Sequence, residues 1–127
     1  MVEFTILICL VTQDAENGAK ILINAFKNRR DLVVNKLNQI EGIKCDLPGG
    51  AFYVFPNISQ LLNKTFESSM INTPNDLSLC LLNKYSIVTV SGESFGSNNN
   101  IRLSYAASDK ILEDALNKIE LFVKSLI

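Results

Sequence analysis

The sequence predicts an α+β domain: a small, mostly antiparallel sheet with helices packed on one side. Three observations carry that prediction. Apolar residues recur at helical spacing in three long segments, the segments between them hold short β-rich runs, and proline-glycine punctuation separates the runs instead of crossover helices. The predicted order is helix, hairpin, helix, strand, strand, helix.

The first helix spans about 15–40. Leu22, Phe26, Val33, Leu37 and Ile40 fall three, four or seven apart and form an apolar stripe, and Gly42 is placed to stop it. "NRRD", Asn28 to Asp31, interrupts the stripe and reads as a solvated turn with local ion pairs. In "IKCDLPGGAFYVFP", Pro48, Gly49 and Gly50 separate two β-rich runs, which predicts a hairpin closed by Pro56 and Asn57. Residues 60–75 read as a loop with a short helical piece. "TPNDLSLCLLNKY" opens the second helix, capped by Thr73 or Asn75, with Leu77, Cys80, Leu81 and Lys84 along one side.

"SIVTVSG" reads as a strand and "ESFGSNN" as a polar link. The strand that follows points Ile101, Leu103 and Tyr105 to one face and Arg102, Ser104 and Ala106 to the other. Ser108 or Asp109 caps the last helix, whose stripe is Leu112, Ala115, Leu116, Ile119, Phe122, Val123 and Leu126.

Composition narrows the function classes. The 127 residues are enough for one domain, and 47% hydrophobic with 20% charged residues describes a globular chain. Twelve Lys and Arg against thirteen Asp and Glu give no basic field, so nucleic acid is not an expected partner. Histidine is absent, which removes Ser-His and Cys-His nucleophile pairs. Cys9, Cys45 and Cys80 lack metal-ligand spacing and read as buried thiols in a reducing cytoplasm, so no metal is expected. The apolar run "FTILICLV", Phe4 to Val11, is too short to span a membrane and lacks a signal peptide's basic leader. It reads as a strand or as a segment that packs on something else, within a divergent apolar leader assigned to residues 1–14.

Among residues that could carry chemistry, Arg102 reads by default as a surface residue on a short strand and, on the functional reading, as a carboxylate binder. Ser104 and Ala106 leave room on its face for a carboxylate, which arginine holds bidentately where lysine cannot. "SGESFG" lacks the lysine-hydroxyl pair and the glycine spacing of a phosphate loop. Lys44 and Lys84 sit near element ends, where a solvated amine is the ordinary state.

Taken together, "GIKCDLPGGAFYVFPN", "SIVTVSGESFG", "NIRLSYAAS" and the terminal amphipathic helix resemble the carboxyl-terminal small domain of class I/II aminotransferases, pyridoxal-phosphate enzymes of the aspartate aminotransferase kind. The resemblance begins near Phe26 with "FKNRRDLVVNKLNQIEGI" and runs about a hundred residues to the end, which assigns residues 15–127 to that domain. It implies that Arg102 grips the α-carboxylate of an amino-acid or 2-oxo-acid substrate. It also implies that Gly50 and Phe52 approach the substrate pocket and that the "SGESFG" loop lies over it.

Two departures stand in that loop. The family's proline-glycine is Ser91-Gly92 here, and a glycine after "FG" is replaced among Asn98, Asn99 and Asn100, which predicts a looser loop. The resemblance further implies a cofactor, pyridoxal 5'-phosphate, held in the family's large domain by a lysine in an S-x-S-K setting. None of the nine lysines has that context.

The chain therefore reads as a truncated member that meets substrate but binds no cofactor by itself, is inactive alone, and takes a missing large domain or partner chain. Whether it forms a homodimer is left open. The alternative reading is a non-catalytic α+β module that binds an amino acid or dimerises.

Overall fold

The computed structural model describes residues 13–49 and 52–127, with side chains from residue 17 onward. The expectations for Phe4–Val11, Cys9 and Gly50 lie outside the described residues.

Helix α1 spans Gln13–Gln39. It buries Phe26, Val33, Val34, Leu37 and Ile40, as the stripe requires, and Leu22 is half-buried. After Gln39 the chain turns through Ile40 and Gly42, the latter at φ +90°, where a side chain would also press on Leu61. The two β-rich runs that follow meet only at one antiparallel bridge, Lys44 to Asn57. The expected hairpin ladder is absent from the described residues. Strand β1, Tyr53–Val54, pairs instead with a strand fifty residues later, because burying Val54 against that central strand yields more core than zipping to the polar run at Lys44.

Residues 60–75 contain more than a loop. A 3₁₀ turn at Ser59–Leu61 is the expected short helical piece, and a hairpin follows it: β2, Lys64–Phe66, and β3, Ser69–Ile71. Its two-residue turn is Glu67-Ser68, both at positive φ. The hairpin is held by tertiary contacts. Phe66 lies 4.8 Å from Phe122 by ring centroids, and Ile127 exchanges both backbone hydrogen bonds with Thr65.

Helix α2, Pro74–Tyr85, starts at Thr73, whose hydroxyl accepts from the Asp76 amide while the Asp76 carboxylate accepts from the Thr73 amide. Leu77, Ser78 and Leu81 face the core and Cys80 is half-buried, whereas Lys84 turns outward to Glu67 at 2.8 Å. Only Val90–Ser91 of "SIVTVSG" forms a strand, β4. The residues before it serve the helix exit: Ser86 is left-handed, and the Ile87 amide donates to Leu81.

Strand β5, Ile101–Ser104, is the centre of a three-stranded antiparallel sheet in the order β1-β5-β4. The registers pair Tyr53 with Ser104, Val54 with Leu103, Val90 with Arg102 and Ser91 with Ile101. Helix α3, Asp109–Lys124, is capped by the Ser108 hydroxyl and buries Leu112, Leu116, Ile119 and Phe122.

One core joins the helices to the inner face of the sheet, through Val54, Ile101, Leu103 and Tyr105. The outer face carries Tyr53, Arg102 and Ser104. Among the described residues this is the α+β arrangement, with three helices and small antiparallel sheets. No described helix is long and apolar enough to cross a membrane.

Candidate functional site

The alternation in "NIRLSYAAS" sets the site. With Ile101, Leu103 and Tyr105 buried, Arg102 and Ser104 are forced onto the outer face, where Arg102 is half-buried and Ser104 exposed. The Ser104 hydroxyl accepts from the Ala106 amide and lies 3.5 Å from the Phe52 carbonyl, so it is occupied with backbone.

Aromatic rings surround the guanidinium. Arg102 Cζ lies 4.9 Å from the Tyr53 ring centroid and 4.7 Å from that of Phe95, over both rings. Phe55 meets Phe95 edge to face at 6.2 Å. Tyr53 comes from the neighbouring strand and Phe95 from the 3₁₀ turn at Gly92–Phe95, within the "SGESFG" loop. Among the described residues no carboxylate lies within ion-pair distance of Arg102. The other two arginines are engaged, Arg29 with Asp109 and Arg30 with Asp31, each at 3.1 Å. The "NRRD" turn thus makes one local pair, and a second that reaches across to the start of α3.

The loop carrying Phe95 is tied down by hydrogen bonds of Ser91, Ser97, Asn99 and Asn100. The Ser91 hydroxyl accepts from the Glu93 amide. The Asn100 side chain donates to the Phe55 carbonyl at 2.8 Å and accepts from the Ser97 hydroxyl at 2.6 Å, while the Asn99 amide donates to that hydroxyl. The Gly92 amide donates to the Asn100 carbonyl at 2.7 Å. Short polar side chains satisfy the backbone here, so the expected loosening is corrected: the asparagines and serines anchor the loop.

Phe52 is placed differently. Its carbonyl accepts from the Tyr105 amide, but its ring meets Phe26 at a tilt, 4.8 Å between centroids. With Phe26, Lys27, Arg30, Pro48 and Tyr105 it lines a cleft of about 210 Å³ between α1 and the chain before β1. Phe52 and Arg102 are therefore joined through backbone, with their side chains apart. The residues that sequence reasoning missed are Tyr53 and Phe95. The Tyr53-Phe55 alternation and the single aromatic in "SGESFG" were the available signals.

The nine lysines all face solvent wholly or in part. Lys84, Lys118 and Lys124 pair with Glu67, Asp114 and Glu120, and Lys36 reaches Asn117. The hydrogen bond and charge of Glu67 push the Lys84 ammonium up from its ordinary value. Burial, helped by Asp46, pushes the Cys45 thiol up to about 11. No group of His, Cys, Asp and Glu among the described residues could hold a metal ion.

Comparison with known proteins identifies the family and the fold. The family model for aminotransferase class I and II matches residues 13–119. An aspartate/prephenate aminotransferase of Cereibacter sphaeroides is 40% identical over 103 residues, covering 80% of this chain and 26% of the relative. An aspartate aminotransferase of Pinus pinaster is 39% identical over 107 residues, covering 84% of this chain and 21% of the relative. The crystal structure of aspartate aminotransferase from Rhizobium meliloti superposes with a TM-score of 0.82 at 38% identity, covering 86% of this chain and 28% of that one. The chain spans about a quarter of the length of these relatives. With a family model matched over most of its length and a fold shared with a solved relative, the chain belongs to the class I and II aminotransferases.

Proposed function

We propose that this chain supplies the substrate-carboxylate half of an aminotransferase site, with Arg102 holding the α-carboxylate of an amino acid or 2-oxo acid. The observation that carries the reading is a half-buried arginine with no carboxylate partner among the described residues, its guanidinium carbon within 5 Å of the centroids of two rings. A planar guanidinium in that setting suits a bidentate carboxylate. The parent reaction would be amino-group transfer between an amino acid and a 2-oxo acid, as the names of the relatives suggest.

Pyridoxal phosphate supplies the electron sink for that reaction in the family. The donor set of this chain does not fit it. A Schiff-base lysine needs an amine made reactive by desolvation or a neighbouring cation. Here Lys84, Lys118 and Lys124 are paired with carboxylates, and the raised Lys84 ammonium has moved in the opposite direction. The reading therefore assigns the cofactor to a large domain or partner chain, and to this chain the holding of substrate.

Calorimetric titration of the full chain with 2-oxoglutarate tests the assignment. Arg102→Ala is expected to weaken binding about 10- to 100-fold, the range for hydrogen bonds to charged groups, and Arg102→Lys is expected to restore only part of it. Unchanged affinity in Arg102→Ala would refute the role.

A further inference from the structure

We propose that Tyr53 and Phe95 are positioning residues that pre-set the plane of the Arg102 guanidinium, with the Gly92–Phe95 turn acting as the arm that brings the second ring onto it. This rests on the reading of Arg102 as the carboxylate receptor and adds what orients it.

The geometry supports each part. Both ring centroids lie within 5 Å of Cζ, at 4.9 and 4.7 Å. An arginine can stack on aromatic faces, and a guanidinium so held keeps its N–H donors, which lie in its plane, available to a carboxylate. A long arginine side chain on an open sheet face would otherwise sample many rotamers, and ordering them on binding would cost affinity. Phe95 is itself supported by Phe55 edge to face, and Phe55 is joined through its carbonyl to Asn100, the residue that also receives the Gly92 amide. The loop, the two rings and the arginine thus form one connected assembly.

Arginine side-chain Nε–Hε signals of the full chain test this, because the chain has only three arginines to assign. The Arg102 signal is expected upfield of that of Arg30 without any ligand, Arg29 itself lying 5.6 Å from the Phe26 ring centroid, and to move toward it in Tyr53→Val and in Phe95→Leu. Each substitution is expected to weaken 2-oxoglutarate binding about two- to fivefold, the strength of an exposed cation–π contact, and Phe95→Tyr is expected to restore it.

A wild-type Arg102 signal with no ring-current shift would overturn the positioning role, even if Arg102→Ala still abolished binding. A shifted signal with affinity unchanged in both ring variants would overturn it too. The shift is read in the unsubstituted chain, so it decides the geometry whether or not a variant folds and whether or not the carboxylate assignment holds.

Discussion

Gly92→Ala links the fold to the site. A methyl group built on Gly92 would fall 2.3 Å from the Asn100 carbonyl oxygen and 2.9 Å from both its carbon and the Ser97 carbonyl oxygen, all backbone atoms, where ordinary contact begins near 3.4 Å. The loop must open by about 1 Å, which breaks the 2.7 Å hydrogen bond from the Gly92 amide to Asn100. Losing that bond costs about 1 kcal/mol and the overpacking about 1–3 kcal/mol, so the expected loss is about 2–4 kcal/mol. At about 4 °C per kcal/mol for a domain of this size, Tm should fall roughly 8–16 °C. Thermal unfolding followed by circular dichroism measures it, with Gly49→Ala, which meets nothing within 4 Å, as the control expected to stay within about 1 kcal/mol. A Gly92→Ala variant that melts with the wild type would show that the loop is not held as described.

Phe122, almost wholly buried and in contact with the Phe66 and Tyr85 rings, should cost about 3–5 kcal/mol on truncation to alanine, measured by urea unfolding. Thr73→Ala removes one side of the capping box at α2 and should cost about 1 kcal/mol in the same assay. Cys45, with its thiol near 11, should resist iodoacetamide at pH 8, where about one molecule in a thousand is thiolate, and label only on unfolding, as peptide mass spectrometry would report. The same shift predicts that stability falls as pH rises from about 9 to about 11: the unfolded thiol ionises first, and the native state holds more protons across that window.

The helices were the most legible part of the sequence, for a physical reason. A helix is specified by neighbours three and four residues apart, so the stripe from Phe26 to Ile40 and the one from Leu112 to Phe122 announce themselves locally. Thr73 and Ser108 were legible as caps on the same grounds. Strand pairing was harder to read because partners are distant in sequence. β1 joins β5 across fifty residues, and only core burial decides that choice over the nearer run at Lys44. The β2-β3 hairpin escaped because Glu67-Ser68 adopts positive φ without the Asn-Gly or Asp-Gly signal, its stability coming from Phe122 and Ile127.

At the site, alternation placed Arg102 on the outer face, and the family resemblance singled it out. Tyr53 and Phe95 stayed hidden because neither shares its element. The "SGESFG" loop was legible as a neighbour of the site but not as an anchored one, since the hydrogen bonds from Ser91, Ser97 and Asn100 depend on a close approach that only the fold creates. Lys84 was legible as a solvated amine near a helix end, but its pairing with Glu67 was not, because local sequence did not announce the turn that carries Glu67.

The proposed division of labour gives this chain the holding of substrate through Arg102 and leaves the cofactor chemistry elsewhere. Incubating the full chain with pyridoxal phosphate, reducing with borohydride and mapping adducts by peptide mass spectrometry tests it most directly. Weak labelling spread over several of the nine solvent-facing lysines is the predicted result. A single stoichiometric adduct on one lysine, with an aldimine absorbance bleached by added amino acid, would contradict it.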